Sequence, residues 1–246
     1  MKHILVLLVL LLNKDLVAES VCRIGNTHDS YVFAVTWHAG FCLGHEKNAG
    51  CIGVANDEFA RENFTLHGLW PNKLGCQQNY AFCDAANSNE GKLCTLPPVA
   101  GLSKSVAENL YRVMPSAREG GCLDRHEWWK HGTCSGQNED AYFTLSISLL
   151  DKFNASDFVT DFVRNNVGQT VSRRDFFQRL DQSFGLGAHD HVLMKCGKGG
   201  KFLEEIQIQL PREIGSGEKF GDFMRRGNSS RSIGNCKEQF KIASLI

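Results

Sequence analysis

Tyr31 to Trp37 (YVFAVTW) is an unbroken run of β-branched and aromatic residues and predicts a buried strand. Phe64 to His67 predicts a second, short strand, halted by Gly68 and then Pro71. From Asn72 to Pro98 the apolar pattern gives way to Gly, Asn, Cys and Pro, which predicts a disulfide-pinned loop. Ser103 to Met114 carries Val106, Leu110, Val113 and Met114 at helical spacing, and Pro115 ends that helix. Asp140 to Phe153 predicts a buried helix and Ser156 to Val163 a short amphipathic one. Ser172 is the expected N-cap of a further helix, with Asp175 near the free amides of its first turn. The final third returns to strands: His191 to Cys196, Phe202 to Leu210 with Ile206 and Ile208 alternating, and Gln239 to Ala243. Strands, then helices, then strands predict an α+β domain, a mainly antiparallel sheet with helices packed against it.

The N-terminus breaks this pattern. Lys2 and His3 precede the apolar run Ile4 to Leu12, and small residues follow at Ala18 and Ser20. Such an order predicts a secretory signal peptide over residues 1–18, with cleavage after Ser20 as the alternative, and a mature domain over 19–246. The apolar run is far short of the roughly 20 residues a membrane span requires. The ten cysteines, Cys22 to Cys236, are spread over the mature chain and contain no CxxC pair. In an oxidising compartment they read as disulfides rather than a zinc site. The 246 residues carry 27 basic and 27 acidic side chains, and removing residues 1–18 leaves 25 against 26. A tight nonspecific polyanion binder would be basic, so an anionic substrate must be met by a local site.

The densest chemistry lies in His126-Glu127-Trp128-Trp129-Lys130-His131-Gly132-Thr133-Cys134. On an α-helix Glu127, Lys130 and His131 share one face, while His126 and His131 stand about 140° apart. A zinc-protease helix needs HExxH; this string is one residue too long, and Lys130 would set a cation beside the metal. No metal is therefore expected. Glu127, Lys130 and His131 together suit an anionic transition state, with His131 as an acid or base. His67, in His67-Gly68-Leu69-Trp70-Pro71, would supply the opposing imidazole, and Trp70 is the best placed tryptophan for stacking a base. A secreted zinc hydrolase and an idle RNA-binding protein are the competing classes.

Phe64 to Pro71 (FTLHGLWP) and His126 to Cys134 (HEWWKHGTC) resemble the two active-site segments of the ribonuclease T2 family, in the same order. Tyr31 to Cys42, Gly121 to Leu123, Thr170 to Phe176, Glu204 to Ile208 and Gly234 to Cys236 extend the resemblance to about residues 30–243, and the match is most similar to the exported bacterial ribonuclease I branch. The resemblance implies an α+β, disulfide-stapled single domain with metal-independent endoribonuclease activity on single-stranded RNA. Little base specificity is implied, with a 2′,3′-cyclic phosphate that can proceed to a 3′-phosphate. By motif position His131 would be the base and His67 the acid, with Glu127 and Lys130 stabilising the transition state. His126 would hold phosphate, while Trp70 and Asn72 would contact the base. No cofactor, no membrane association and no DNA cleavage are implied; a monomer in a periplasm or outside the cell is expected. The resemblance implies a Cys196–Cys236 bridge. Cys22 and Cys83 are additional to the bacterial pattern and are expected to pair with each other. His38 stands where relatives have Gln or Pro, near the expected rim of the site.

Overall fold

A computed structural model describes residues 22–76, 79–84, 93–230 and 232–245. Residues 1–18, expected to be a signal peptide, lie outside these residues. Six strands form one sheet: β1 (Ser30–Thr36), β2 (Thr65–Asn72), β3 (Thr170–Ser172), β4 (Val192–Cys196), β5 (Phe202–Pro211) and β6 (Gln239–Lys241). The order is β2-β1-β5-β6-β3, with β4 also paired to β5. Every pairing is antiparallel except the single β5–β6 contact of Phe202 with Lys241. The expected α+β architecture is present.

Alternation along the strands puts Phe33, Val35, Ile206 and Ile208 on one face, all buried. Four helices complete the core: α1 (Lys104–Val113), α2 (Glu139–Asn154), α3 (Arg173–Phe184) and α4 (Phe220–Arg226). Phe153, Phe158, Phe176, Phe184 and Phe220 interlock there, in stacked, tilted and edge-on pairs. Ser172 caps α3 by accepting from the Asp175 amide at 2.9 Å, and Ser103 caps α1. The segment expected to be a short amphipathic helix is a π-helix at Phe158–Val163, buried through Phe158, Val159, Phe162 and Val163.

β2 runs through both expected stop residues. As the last strand of the sheet it leaves one side unpaired, so Pro71 costs no ladder hydrogen bond. Where β1 meets β2 the register slips: Ala34 faces Gly68 and Val35 faces Leu66, leaving His67 as the extra residue of a β-bulge. β3, α4 and the short helices His38–Cys42 and Glu58–Glu62 were not legible from the hydrophobic pattern.

All ten cysteines are bridged. Cys196–Cys236 forms as the resemblance implied. Cys22 and Cys83 do not pair with each other: the bonds are Cys22–Cys76 and Cys83–Cys134. These four cysteines cluster around Tyr80, so proximity alone allows several pairings. Cys42–Cys51 and Cys94–Cys122 complete the set. No helix among the described residues is long and apolar enough to cross a membrane.

His28 is buried against the Tyr31 ring with neither ring nitrogen hydrogen-bonded. Burial, and then the Arg212 charge, push its pKa down to about 4. The unfolded chain takes up a proton near pH 6.5 that the folded chain refuses, so stability falls as pH drops from about 6.5 to about 4. Urea unfolding at pH 7 and pH 5 should show a smaller pH-dependent loss for His28→Phe than for the native chain. Equal losses in both proteins would exclude His28 as a source. Some loss should persist in the variant, because His38, His126 and His131 are lowered in the same direction.

Candidate active site

β2 and the segment after Cys122 build the site together. A helical turn, Leu123–His126, passes directly into a π-helix at Glu127–His131. The Gly132 amide donates to the carbonyl of Glu127, five residues back, which widens the turn. This changes the expected geometry. His126 does not point away from His131; their ring centroids are 6.1 Å apart. The extra residue that made the string too long for HExxH is absorbed by the wide turn.

Glu127 is the pivot. Its side chain is 1% exposed, and Oε2 accepts from the Trp70 indole at 2.7 Å. Oε1 has no hydrogen-bond partner and faces His67 Nε2 at 3.7 Å. The carboxylate occupies space that only glycine leaves: a Cβ on Gly68 would lie 1.8 Å from Glu127 Oε2. Trp128 is buried against Tyr142, whose hydroxyl donates to the Leu69 carbonyl at 2.8 Å, so the π-helical turn is clamped to β2. Trp129 donates to the Pro97 carbonyl and belongs to the scaffold.

Trp70 stands between the two imidazoles. Its ring meets His67 edge-on at 5.2 Å and lies over His131 at 5.3 Å, tilted by 30°. Asn72 falls two residues further along β2, on the same face as Trp70. His38 does stand beside the site, in the wall of a cavity it shares with His67, but it is buried: it is bonded to the Gly50 carbonyl and to Thr65, and it braces the Cys42–Cys51 loop.

The sequence did not point to Glu205 as part of the site. His67 Nδ1 bonds Glu205 Oε2 at 2.5 Å, while Glu205 Oε1 accepts from Lys195 at 2.9 Å and from Gln207 at 2.7 Å. Its signals were membership of the Glu204 to Ile208 stretch that extends the resemblance, without a role, and an acidic residue in an alternating strand, which ordinarily reads as a solvent-facing position. A cavity of about 210 Å³ opens beside His67, lined by Thr36, Phe41, His45, Leu93, Lys195 and Glu205 among others.

The imidazoles sit in opposite fields. Burial disfavours a charged His67, but the Glu205 hydrogen bond and the charges of Glu205 and Glu127 outweigh it, and its pKa is raised despite Lys195. His131 is lowered well below the usual range by burial, then by Lys130, His126 and His67. Burial and the charges of Lys130 and His67 bring His126 down to about 4. Burial lifts Glu127 to about 7, against the pull of His67, the Trp70 indole and Lys130. One imidazole thus holds its proton while the other stays free to accept one.

The family profile for the ribonuclease T2 family matches residues 28–225. The chain belongs to the ribonuclease T2 family. It is 30% identical to ribonuclease I of Escherichia coli over 236 residues, covering 87% of this chain and 85% of that one. A ribonuclease of Aeromonas hydrophila is 30% identical over 186 residues, covering 75% and 73% of the two chains. Among solved structures, the self-incompatibility-associated SF11-RNase of Nicotiana alata superposes with a TM-score of 0.59 at 21% identity, over 88% of this chain and 99% of that one. This T2 chain is therefore an endoribonuclease, and RNA is its substrate class.

Within this T2 site, ligand atoms of His126, Glu127 and His131 lie within 4.8 Å of one another, so spacing alone does not exclude a metal. Lys130 still opposes one, because its charge acts on both histidines and on Glu127. The second possible set, His38 with Cys42 and Cys51, has its sulfurs bonded to each other.

Gly68→Ala tests the clamp. Displacing Glu127 should lower kcat by about 10²-fold, the scale set by small misplacements of catalytic groups. Far-UV circular dichroism should be unchanged. Native-like turnover by this variant would show that Glu127 need not occupy the space beside Gly68.

Proposed function

We propose that this T2 chain is an exported, metal-independent endoribonuclease that cleaves single-stranded RNA by transesterification. The observation that carries the reading is the opposite electrostatic setting of His67 and His131 on either side of Trp70. His131, held neutral, takes the proton of the ribose 2′-OH, and the resulting oxygen attacks the adjacent phosphorus. His67, held protonated, delivers a proton from Nε2 to the departing 5′-oxygen. The product is a 2′,3′-cyclic phosphate, and water can then open it to a 3′-phosphate with the histidine roles reversed. Lys130, with His126, faces the non-bridging oxygens, where negative charge builds in the transition state. Glu127 stands between the charged and neutral forms at neutral pH, so it can share a proton with the phosphoryl oxygens.

The nucleophile belongs to the substrate, which makes DNA inert. Trp70 offers a face on which any base can stack, with Asn72 beyond it, and this arrangement favours low base specificity. The cavity beside His67 lies on the leaving-group side and would receive the nucleotide attached to the 5′-oxygen. Full pairing of the cysteines supports export to a periplasm or the medium, where thiols oxidise. The chain acts as a monomer in this reading.

A metal-dependent hydrolase is the second reading, favoured by the closeness of His126, Glu127 and His131. One digestion separates the two: an RNA oligonucleotide and its all-deoxy counterpart, each in EDTA, with product ends identified. A 2′,3′-cyclic phosphate from RNA alone is expected, whereas activity abolished by EDTA and restored by zinc would favour the metal. His67→Ala and His131→Ala should each cost about 10²–10⁴-fold in rate. Lys130→Ala should depress kcat more than it raises KM; a change in KM alone would remove Lys130 from the transition state.

The pH profile follows from the signs. Activity should fall on the acid side as His131 becomes protonated, at a pH below the ordinary histidine range. It should fall on the alkaline side as His67 loses its proton, above pH 6.5. A narrow optimum with both limbs at the ordinary histidine value would contradict the assignment.

A further inference from the structure

The bulge that frees His67 from the β1–β2 ladder leaves it two residues from Thr65, the end of a row crossing four strands. Thr65 on β2 pairs with Thr36 on β1, Thr36 with Glu205 on β5, and Glu205 with Lys195 on β4. Thr36 is short, so the His67 imidazole reaches over β1 to a carboxylate two strands away. A bulge beside an active site commonly re-aims a side chain in this way. Glu205 is 8% exposed, and both of its oxygens are bonded: Oε2 to His67 Nδ1, Oε1 to Lys195 and Gln207. A carboxylate buried on the polar face of a sheet is costly unless its partners are held in place. Here the partners are a catalytic imidazole on one side and a cation on the other.

We infer that Glu205 is the positioning residue of the acid histidine, fixing the ring through Nδ1 so that Nε2 faces the leaving oxygen, and that Lys195 acts through Glu205 to set how readily the proton leaves. This rests on the reading of His67 as the acid. With Nδ1–H given to Glu205, the transferable proton resides on Nε2, the nitrogen that faces Glu127. The charged and titratable groups around His67 are Glu127, His126 and His131 from the catalytic turn, with Lys130 behind Glu127. Glu205 from β5 and Lys195 from β4 complete the set. Glu205 and Glu127 hold the proton on; Lys195 and burial push it off. An acid needs both, because a proton held by two carboxylates and no cation would not transfer.

The two substitutions have opposite signs. Glu205→Gln keeps the shape and removes the charge, so the alkaline limb of kcat/KM should move down by about 1–3 pH units. Lys195→Met should move that limb up. Lys195 is half exposed, so this variant keeps the test open if Glu205→Gln folds poorly. Glu205→Ala should lose turnover at every pH, and Glu205→Asp should restore the alkaline limb toward the native position. The His67 ring proton, followed by NMR through the same pH range, should titrate lower in Glu205→Gln and higher in Lys195→Met, a readout that needs no substrate. An unmoved His67 titration, or shifts of the same sign in both variants, would overturn the inference. His67→Ala run alongside separates the two levels. Native-like activity in His67→Ala would refute the acid assignment itself; an inactive His67→Ala with an unmoved Glu205→Gln profile would refute Glu205 alone.

Discussion

The buried carboxylate of Glu127 is the constraint on which the site depends. It is sealed from water, bonded through one oxygen to an indole, and seated where Gly68 has no side chain. A charged group in such a place is tolerated because His67 and Lys130 lie near it. The same contact binds two distant pieces of chain. Gly68 and Trp70 belong to an edge strand, while Glu127 opens a π-helix, and the carboxylate is where they meet. Moving it would disturb Trp70, which lies on His131, and His67, which faces its free oxygen.

Two local departures from regular structure make this meeting possible. The bulge in β2 turns His67 out of the ladder, and the wide turn at Glu127–His131 brings His126 and His131 together. Both cost backbone regularity at the point where side chains must converge. The rest of the fold is conventional in comparison: a sheet with an apolar face, an interlocked set of phenylalanines and capped helices. Regular elements supply rigidity, and the two irregular ones supply direction.

The regular parts were legible because they rest on local signals. Tyr31–Trp37 reads as a strand from its residue types, and Ser172 reads as a cap from its position. The site was legible in its membership, since His67, Trp70, Glu127, Lys130 and His131 stand in two compact motifs. Its geometry was not. The six-residue string from His126 to His131 looks like an α-helix with the two rings turned apart; the observed turn is wider and packs against Tyr142, which is bonded to Leu69. Glu205 was missed because its partner lies 138 residues away in sequence. The mispairing expected for Cys22 and Cys83 has a similar cause, because all four sulfurs converge on one spot.

That convergence has a consequence for how the turn after His131 is held. Cys134 closes the short turn after His131, and its bond to Cys83 sits beside the amide of Phe82 that holds the Lys130 carbonyl. Four neighbouring cysteines allow three pairings, and only one of them anchors this turn as observed. A chain with reduced thiols lacks the anchor, and one with another pairing ties Cys134 to a different place. The geometry of this turn is thus coupled to thiol oxidation, because the Cys83–Cys134 bond and the Phe82 amide hold the same stretch of chain.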